Sequence, residues 1–211
     1  MTDLVSCTPA PLLLTARLRL VAADERHAGA LADFYDRNRG HLAPWEPPTD
    51  AGFHTAAVQA QRLREAAAGA LDGTRCTYLL QPIGDVHRVV GTVSFTAVMR
   101  GPFQSCNLGY ALDQQLEGQA LMTEALHCAI GEMFSPRINL HRIQAAFQPE
   151  NWRSAEVLKR LGFQDEGLAK DYLFIDGRWR AHRLVALLNK AFIAPPAWQA
   201  VPTARATPSA P

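Results

Sequence analysis

Apolar residues return at helical spacing from Leu121 to Phe134, where Leu121, Met122, Ala125, Leu126, Ala129, Ile130, Met133 and Phe134 share one face. The pattern predicts an amphipathic helix that Pro136 stops. Alternation in Arg17–Ala22 predicts a strand with Leu18 and Leu20 turned inward. Asp24 then caps a helix whose Ala28, Leu31 and Phe34 or Tyr35 share a face, ending near Gly40. The prolines of Leu42-Ala43-Pro44-Trp45-Glu46-Pro47-Pro48 require a loop. Thr55 caps a second helix running to about Ala70. Cys76–Gln81 and Val89–Val98 read as strands joined around Gly84-Asp85, and Cys106–Leu112 as a third. Beyond the long helix, His141–Phe147 reads as a strand and Asn151–Leu161 as a helix closed by Gly162. Phe163–Phe174 and Trp179–Leu188 form a hairpin around Asp176-Gly177.

This order, with a meander followed by strand–helix–strand–helix–hairpin, predicts an α+β fold with one mixed sheet. It is not a doubly wound dinucleotide fold, and the chain has no G-x-G-x-x-G or Gly-Lys-Ser/Thr loop. The length of 211 residues suits one domain, and 48% apolar against 19% charged residues allows a sizeable core. We expect an extension over residues 1–14, the domain over 15–190 and an Ala/Pro-rich, mobile tail over 191–211. In Ala194–Pro211, 11 of 18 residues are Ala or Pro.

Charge refines the picture. The net formal charge of +1 argues against a nucleic-acid binder. It conceals a net −4 in residues 1–136 (10 Lys/Arg, 14 Asp/Glu) and a net +5 in 137–211 (11 and 6). No apolar run approaches the roughly 18 residues of a membrane helix, and the start has no basic signal-peptide region. Cysteines 7, 76, 106 and 128 form no Cys-x-x-Cys pair, so neither a metal site nor a disulfide scaffold is expected. A reduced, cytoplasmic chain is the expectation.

Candidate chemistry concentrates in Leu108–Leu112 and Glu117–Leu126. There a strand leads through a turn of small residues into a helix start. Unpaired amides and the partial positive charge of a helix N-terminus suit a phosphate or pyrophosphate.

That run resembles the acetyl-coenzyme A loop of the GCN5-related N-acetyltransferases (GNAT), and more narrowly of their RimJ/RimL branch. Other segments follow in the branch's order: Arg17-Leu18-Arg19-Leu20, His41–Pro47 with its Pro-Trp pair, Leu108-Gly109-Tyr110 and Leu140–Ile143. Asn151-x-x-Ser154, Leu161-Gly162-Phe163, Glu166-Gly167, Lys170-Asp171-Tyr172 and Asp176-Gly177-x-Trp179-x-x-His182 complete the set. The resemblance covers roughly residues 15–190 and is nearest to the RimJ type, an N-terminal alanine acetyltransferase. It implies about seven strands, mostly antiparallel and splayed at the centre, with about four flanking helices.

A literal loop motif, Gln115-x-x-Gly118-x-Ala120, is out of register, because Thr123-Glu124-Ala125-Leu126 fixes the frame two residues later. In that frame Glu117 replaces Gln/Arg, Ala120 the central Gly, and Met122 the last small residue. The methyl of Ala120 is tolerable if its backbone is helical and crowds the pyrophosphate slightly if φ is positive. Glu117 opposes an anionic ligand unless it points away.

The resemblance implies that acetyl-coenzyme A binds through Leu112, Gly118, Gln119, Ala120, Leu121, Met122, Thr123 and Asn151. Ser154 would serve the leaving thiolate, as in RimL-like members, since the position of the usual Tyr falls on Leu158. Trp45, Tyr110 and Tyr172 are the substrate-side candidates. Tyr110 and Trp45 equally suit core packing, and Asn151 suits a plain helix cap. Many relatives carry Glu where this chain has Asn107. Asp171 and Glu150 are candidates for base action relayed by water, or else solvated carboxylates. Arg153, Lys159 and Arg160 form a basic strip available to a phosphate, or a solvated face. The seven histidines show no ligand spacing, most of them are expected at the surface or in caps, and no metal is expected. The implied acceptor is a protein N-terminal α-amine, that of alanine on a ribosomal protein. The rivals are a small-molecule amine and a non-catalytic acyl-coenzyme A-binding module. The acidic half would meet a basic protein substrate, and the basic half the anionic cofactor.

Overall fold

A computed structural model of the chain describes residues 9–198. Its strands are β1 (Leu12–Leu14), β2 (Leu18–Ala22), β3 (Cys76–Pro82), β4 (Gly91–Met99), β5 (Ser105–Leu112), β6 (Arg142–Phe147), β7 (Gln164–Ile175) and β8 (Arg178–Leu188). Its helices are α1 (Ala28–Arg37), α2 (Arg39–Leu42), α3 (Ala56–Leu71), α4 (Leu121–Phe134) and α5 (Trp152–Arg160).

The strands form one sheet in the order β1-β2-β3-β4-β5-β6-β8-β7. All neighbours are antiparallel except β5 and β6. A parallel pair needs a crossover, and α4 supplies it. The expected α+β mixed sheet is therefore present. Its eighth strand, β1, lies inside the segment expected to be an extension, and residues 1–8 fall outside the description.

Helices cover both faces, which is why the central strands are apolar on both sides. Tyr78 and Leu80 of β3 pack with the stripe of α4, while Leu79 between them packs with Leu31, Phe34 and Leu63 of α1 and α3. Burying a side chain of this size stabilises the fold by about 1.5–3 kcal/mol. The α4 stripe, Leu121 through Met133, is buried as its spacing predicts. Thr55 caps α3, its hydroxyl accepting from Val58 N at 3.4 Å.

The first helix does not end at Gly40, which sits inside α2. The break falls at Asn38. Its side chain donates to Phe34 O (2.9 Å) and accepts from Gln114 N (3.0 Å), tying the bend to the segment after β5. That partner is 76 residues away and invisible to local pattern.

Of the expected tail, residues 191–198 are described. Ile193 exchanges two hydrogen bonds with Asn139, and Trp198 stacks on Phe192. Residues 199–211 lie outside the description. Cys76, Cys106 and Cys128 are free thiols, and burial pushes the first two up to about 12; Cys7 is not described. Among the described residues no helix is long and apolar enough to cross a membrane.

The site arises where β5 and β6 part. Their ladder runs from Ser105↔Arg142 to Leu108↔Ala145 and stops. Beyond it, Gly109–Leu112 and Ala146–Gln148 stand on either side of a cleft. The nearby register shift belongs to the β4–β5 pairing, between Thr96 and Met99.

Candidate active site

The cleft has a volume of about 570 Å³ and three functional regions. The first is the turn entering α4. It hangs from Asp113, which is 1% exposed and takes hydrogen bonds from Arg37 (2.8 Å), Arg88 (3.1 Å) and Gln115 N (3.2 Å). Burial pushes the Asp113 carboxyl up, but these donors outweigh it and hold it below its ordinary value.

Gly118 (φ +74) and Ala120 (φ +59) both lie in the left-handed region. Glu124 N bonds to Ala120 O at 3.0 Å; among the described residues no protein acceptor meets the amides of Gly118 to Thr123. The Gln119 carbonyl accepts from Arg17 Nη1 at 3.0 Å. A trans peptide sets N–H opposite C=O, so the Ala120 amide points away from Arg17. The Thr123 hydroxyl is buried without a partner. Unpaired amides and an orphaned hydroxyl at a helix start make a cradle for an anionic group, which the methyl of Ala120 on its left-handed backbone crowds slightly.

Glu117 does not point away. It lines the cleft with Oε1 3.3 Å from His41 Nε2 and Oε2 3.2 Å from Arg153 Nε. Of the basic strip, Arg153 and Arg160 reach the cleft, and Lys159 does not line it.

In the second region Asn151 Oδ1 caps α5 by accepting from Ser154 N at 3.0 Å. This places Ser154 in the first turn, with Oγ 2.7 Å from the Tyr110 hydroxyl on β5. The Tyr110 hydroxyl also lies 3.3 Å from Ser154 O. Burial pushes this phenol up to about 12, although its hydrogen bond with Ser154 works the other way. Leu158, which cannot donate a proton, is buried in the core.

The third region faces α1 and the proline-rich loop. Gln148 Nε2 donates to Pro44 O at 2.8 Å, tying the end of β6 to that loop. Trp45, Glu46, Tyr35, Thr92 and His182 line this part of the cleft. Burial raises the Glu46 carboxyl and the Tyr35 phenol above their ordinary values. His182 is only 3% exposed, an exception among histidines most of which were expected at the surface or in caps. Its Nδ1 lies 3.1 Å from Arg180 O.

The structure thus gathers Trp45, Tyr110, Leu112, Gly118, Ala120, Leu121, Met122, Thr123, Asn151 and Ser154 around one cleft. Gln119 and Tyr172 do not line it. Tyr172 is 43% exposed on β7, and its ring lies 5.5 Å from that of His182. Asp171, Glu150 and Asn107 are exposed and also stand outside. Sequence reasoning missed Glu46 and His182 as cleft residues. Neither sits in a periodic pattern, and only the packing of loop and hairpin against β5 and β6 brings them in.

The acetyltransferase (GNAT) domain family profile matches residues 17–164. The [ribosomal protein uS5]-alanine N-acetyltransferase of Escherichia coli (strain K12) is 41% identical over 183 residues, covering 86% of this chain and 93% of that protein. The structure of the ribosomal-protein-S5-alanine acetyltransferase from Vibrio fischeri superposes with a TM-score of 0.82 at 34% identity, covering 87% of this chain and 99% of the other. Mycobacterium smegmatis RimJ, solved in complex with CoA-disulfide, gives a TM-score of 0.76 at 31% identity over 85% and 86% of the two chains.

Proposed function

The chain belongs to the acetyltransferase (GNAT) domain family and is an N-acetyltransferase, and from that premise we propose that it acetylates the N-terminal α-amine of an alanine-initiated ribosomal protein. The observation that carries the site assignment is the Tyr110–Ser154 hydroxyl pair at 2.7 Å, set where β5 and β6 part and beside the amide cradle. The substrate class rests on the alanine N-acetyltransferases that the chain resembles over most of its length.

The donor substrate, acetyl-coenzyme A, supplies a thioester whose acyl carbon the amine attacks. The unpaired amides of the 118–123 turn and the Thr123 hydroxyl suit its phosphates, and Asn151 and the strand edge at Leu112 suit its arm. Ser154 stabilises the leaving sulfur with its hydroxyl, positioned by Tyr110. The start of α5 adds a favourable dipole for that negative charge. Trp45 forms a wall of the acceptor region, and Tyr172 acts through the His182 ring it packs on. An α-amine ordinarily titrates near 7.7–8.0, so roughly a third is neutral at pH 7.5, whereas a lysine near 10.4 is almost wholly charged. A site with weak base assistance therefore favours N-termini over lysine side chains.

The test is an acceptor panel: alanine-initiated ribosomal peptides, the same peptides with blocked α-amines, and small amines. Transfer confined to free α-amines supports the proposal, and preference for a small amine refutes it. Mass spectrometry of the host's protein N-termini with and without the gene extends the same test to whole cells. If the acidic half receives a basic substrate, activity on a basic peptide falls with salt faster than on a neutral one.

A further inference from the structure

Three carboxylates line the cleft: Glu46, Glu117 and Glu156. Glu117 is held by His41 and Arg153, and Glu156 pairs with Arg160 at 3.9 Å. Among the described residues no ion pair or side-chain hydrogen bond meets the Glu46 carboxylate. Arg62 acts on it only from a distance. That guanidinium is committed elsewhere, bonding Gln59 Oε1 at 2.9 Å and lying 4.5 Å over the Phe53 ring and 5.4 Å over Tyr35.

Position adds to chemistry. A second cleft of about 260 Å³ adjoins the first, bounded by the proline-rich loop and the Asp176-Gly177 turn. Among the described residues only Tyr35, Leu42 and Glu46 line both. Glu46 therefore stands where an extended chain entering through the outer cleft brings its N-terminus into the reaction cleft. A half-buried carboxylate without a counter-ion in contact is unfavourable on its own, and an arriving ammonium relieves it.

We propose that Glu46 receives the acceptor's α-ammonium and takes its first proton, an inference that rests on the α-amine acceptor proposed above. Glu46 accepts one proton from the ammonium, leaving a neutral amine and a carboxylic acid. The amine nitrogen forms the C–N bond to the acyl carbon. The C–S bond breaks, its electron pair going to sulfur. The nitrogen sheds a second proton to water, the sulfur takes one from water, and Glu46 returns its own to solvent. The balance is one proton released per amide formed. Burial raises the Glu46 carboxyl, which makes it a better proton acceptor than an exposed one. The ionisable groups around both clefts near Glu46 are Tyr35, Arg39, His41, His54, Arg62, Glu117, Asp176 and His182. None is a second unpaired carboxylate.

The test compares wild type, Glu46→Gln and Glu46→Asp on an alanine-initiated peptide from pH 6.5 to 9. Without the carboxylate, only amine already neutral reacts. An amine of pKa 7.7–8.0 is about 3–6% neutral at pH 6.5, so kcat/KM of Glu46→Gln falls about twentyfold there and returns to within about twofold of wild type at pH 9. Glu46→Asp recovers part of the low-pH loss, and acetyl-coenzyme A affinity stays within about twofold for both. A constant wild-type-to-variant ratio at every pH overturns the proposal. So does a pH-dependent gap in His182→Gln with none in Glu46→Gln. If the wild type acetylates only a small amine, the proposed acceptor class fails, and the same profiles taken on that amine test Glu46 separately.

Discussion

Replacing Ser154 with Ala tests what the Tyr110–Ser154 pair does. A phenol pushed up to about 12 stays protonated at neutral pH. Either hydroxyl can donate in the 2.7 Å contact; when the Tyr110 proton serves it rather than the 3.3 Å contact to Ser154 O, the Ser154 proton is free to turn into the cleft. A thiol ordinarily ionises near 8.5, so moving the Tyr110 proton all the way to the leaving thiolate is uphill by about 3.5 pK units, roughly 5 kcal/mol. Hydrogen bonding to the sulfur wins over proton donation. A hydrogen bond to a charged group contributes about 1.5–3 kcal/mol, or roughly 10–150-fold in rate. Ser154→Ala should lower kcat by that factor, evenly from pH 6 to 9. Acetyl-coenzyme A affinity should change less than about threefold. Stability should fall by no more than about 1 kcal/mol, because the Asn151 cap bonds the Ser154 backbone amide and survives. Tyr110→Phe should cost about three- to tenfold, and the double variant should be no slower than Ser154→Ala, since Tyr110 acts through Ser154. Steady-state kinetics with a thiol-release assay and calorimetric binding provide the measurements. An unchanged kcat in Ser154→Ala, or fully multiplicative effects in the double variant, refutes the reasoning.

Ala120→Gly should stabilise the protein. A left-handed Ala costs about 1–2 kcal/mol and the added unfolded-state freedom of Gly about 0.4–1, so up to about 1.5 kcal/mol remains, seen as a Tm rise of up to about 6 °C. Asp113→Asn should lose about 3 kcal/mol in denaturant unfolding, since it strips the shared partner from Arg37 and Arg88. The Asp113 carboxyl is held below its unfolded value, so its contribution is complete above about pH 4 and lost as pH falls through its folded pKa. The variant's stability should accordingly vary less with pH on the acid side. Glu117→Gln should tighten acetyl-coenzyme A binding about two- to fivefold at low salt, with the gain shrinking as salt rises; weaker binding would mean that Glu117 mainly positions Arg153.

The α4 stripe, the Asp176-Gly177 hairpin and the Asn151 cap were all legible, because each depends on residues within one or two turns of chain. Two expectations stayed open until the backbone answered them. Ala120 has a positive φ, and Glu117 faces the cleft. Neither follows from residue type, since Ala usually avoids this conformation and a glutamate side chain turns either way. The helix end at Asn38 rather than Gly40 was set by a contact with the β5–α4 segment. His182 stood in the run Asp176-Gly177-x-Trp179-x-x-His182, but that run did not show its burial, which comes from the hairpin closing over the end of β6.

Periodicity, turn residues and caps determined the elements and their order, because those signals are short-range and additive along the chain. The cap also placed Ser154 in a helix's first turn, whereas the cradle at Gly118–Thr123 was implied by the resemblance to the acetyltransferase branch and not by those signals. Tertiary structure alone decided that β5 and β6 separate after Leu108 and Ala145, that Tyr110 meets Ser154 across 44 residues, and that Glu46 comes to the junction of two clefts. Those outcomes depend on where elements distant in sequence pack once both faces of the sheet are covered, and burial of apolar area fixes that packing without leaving a local trace.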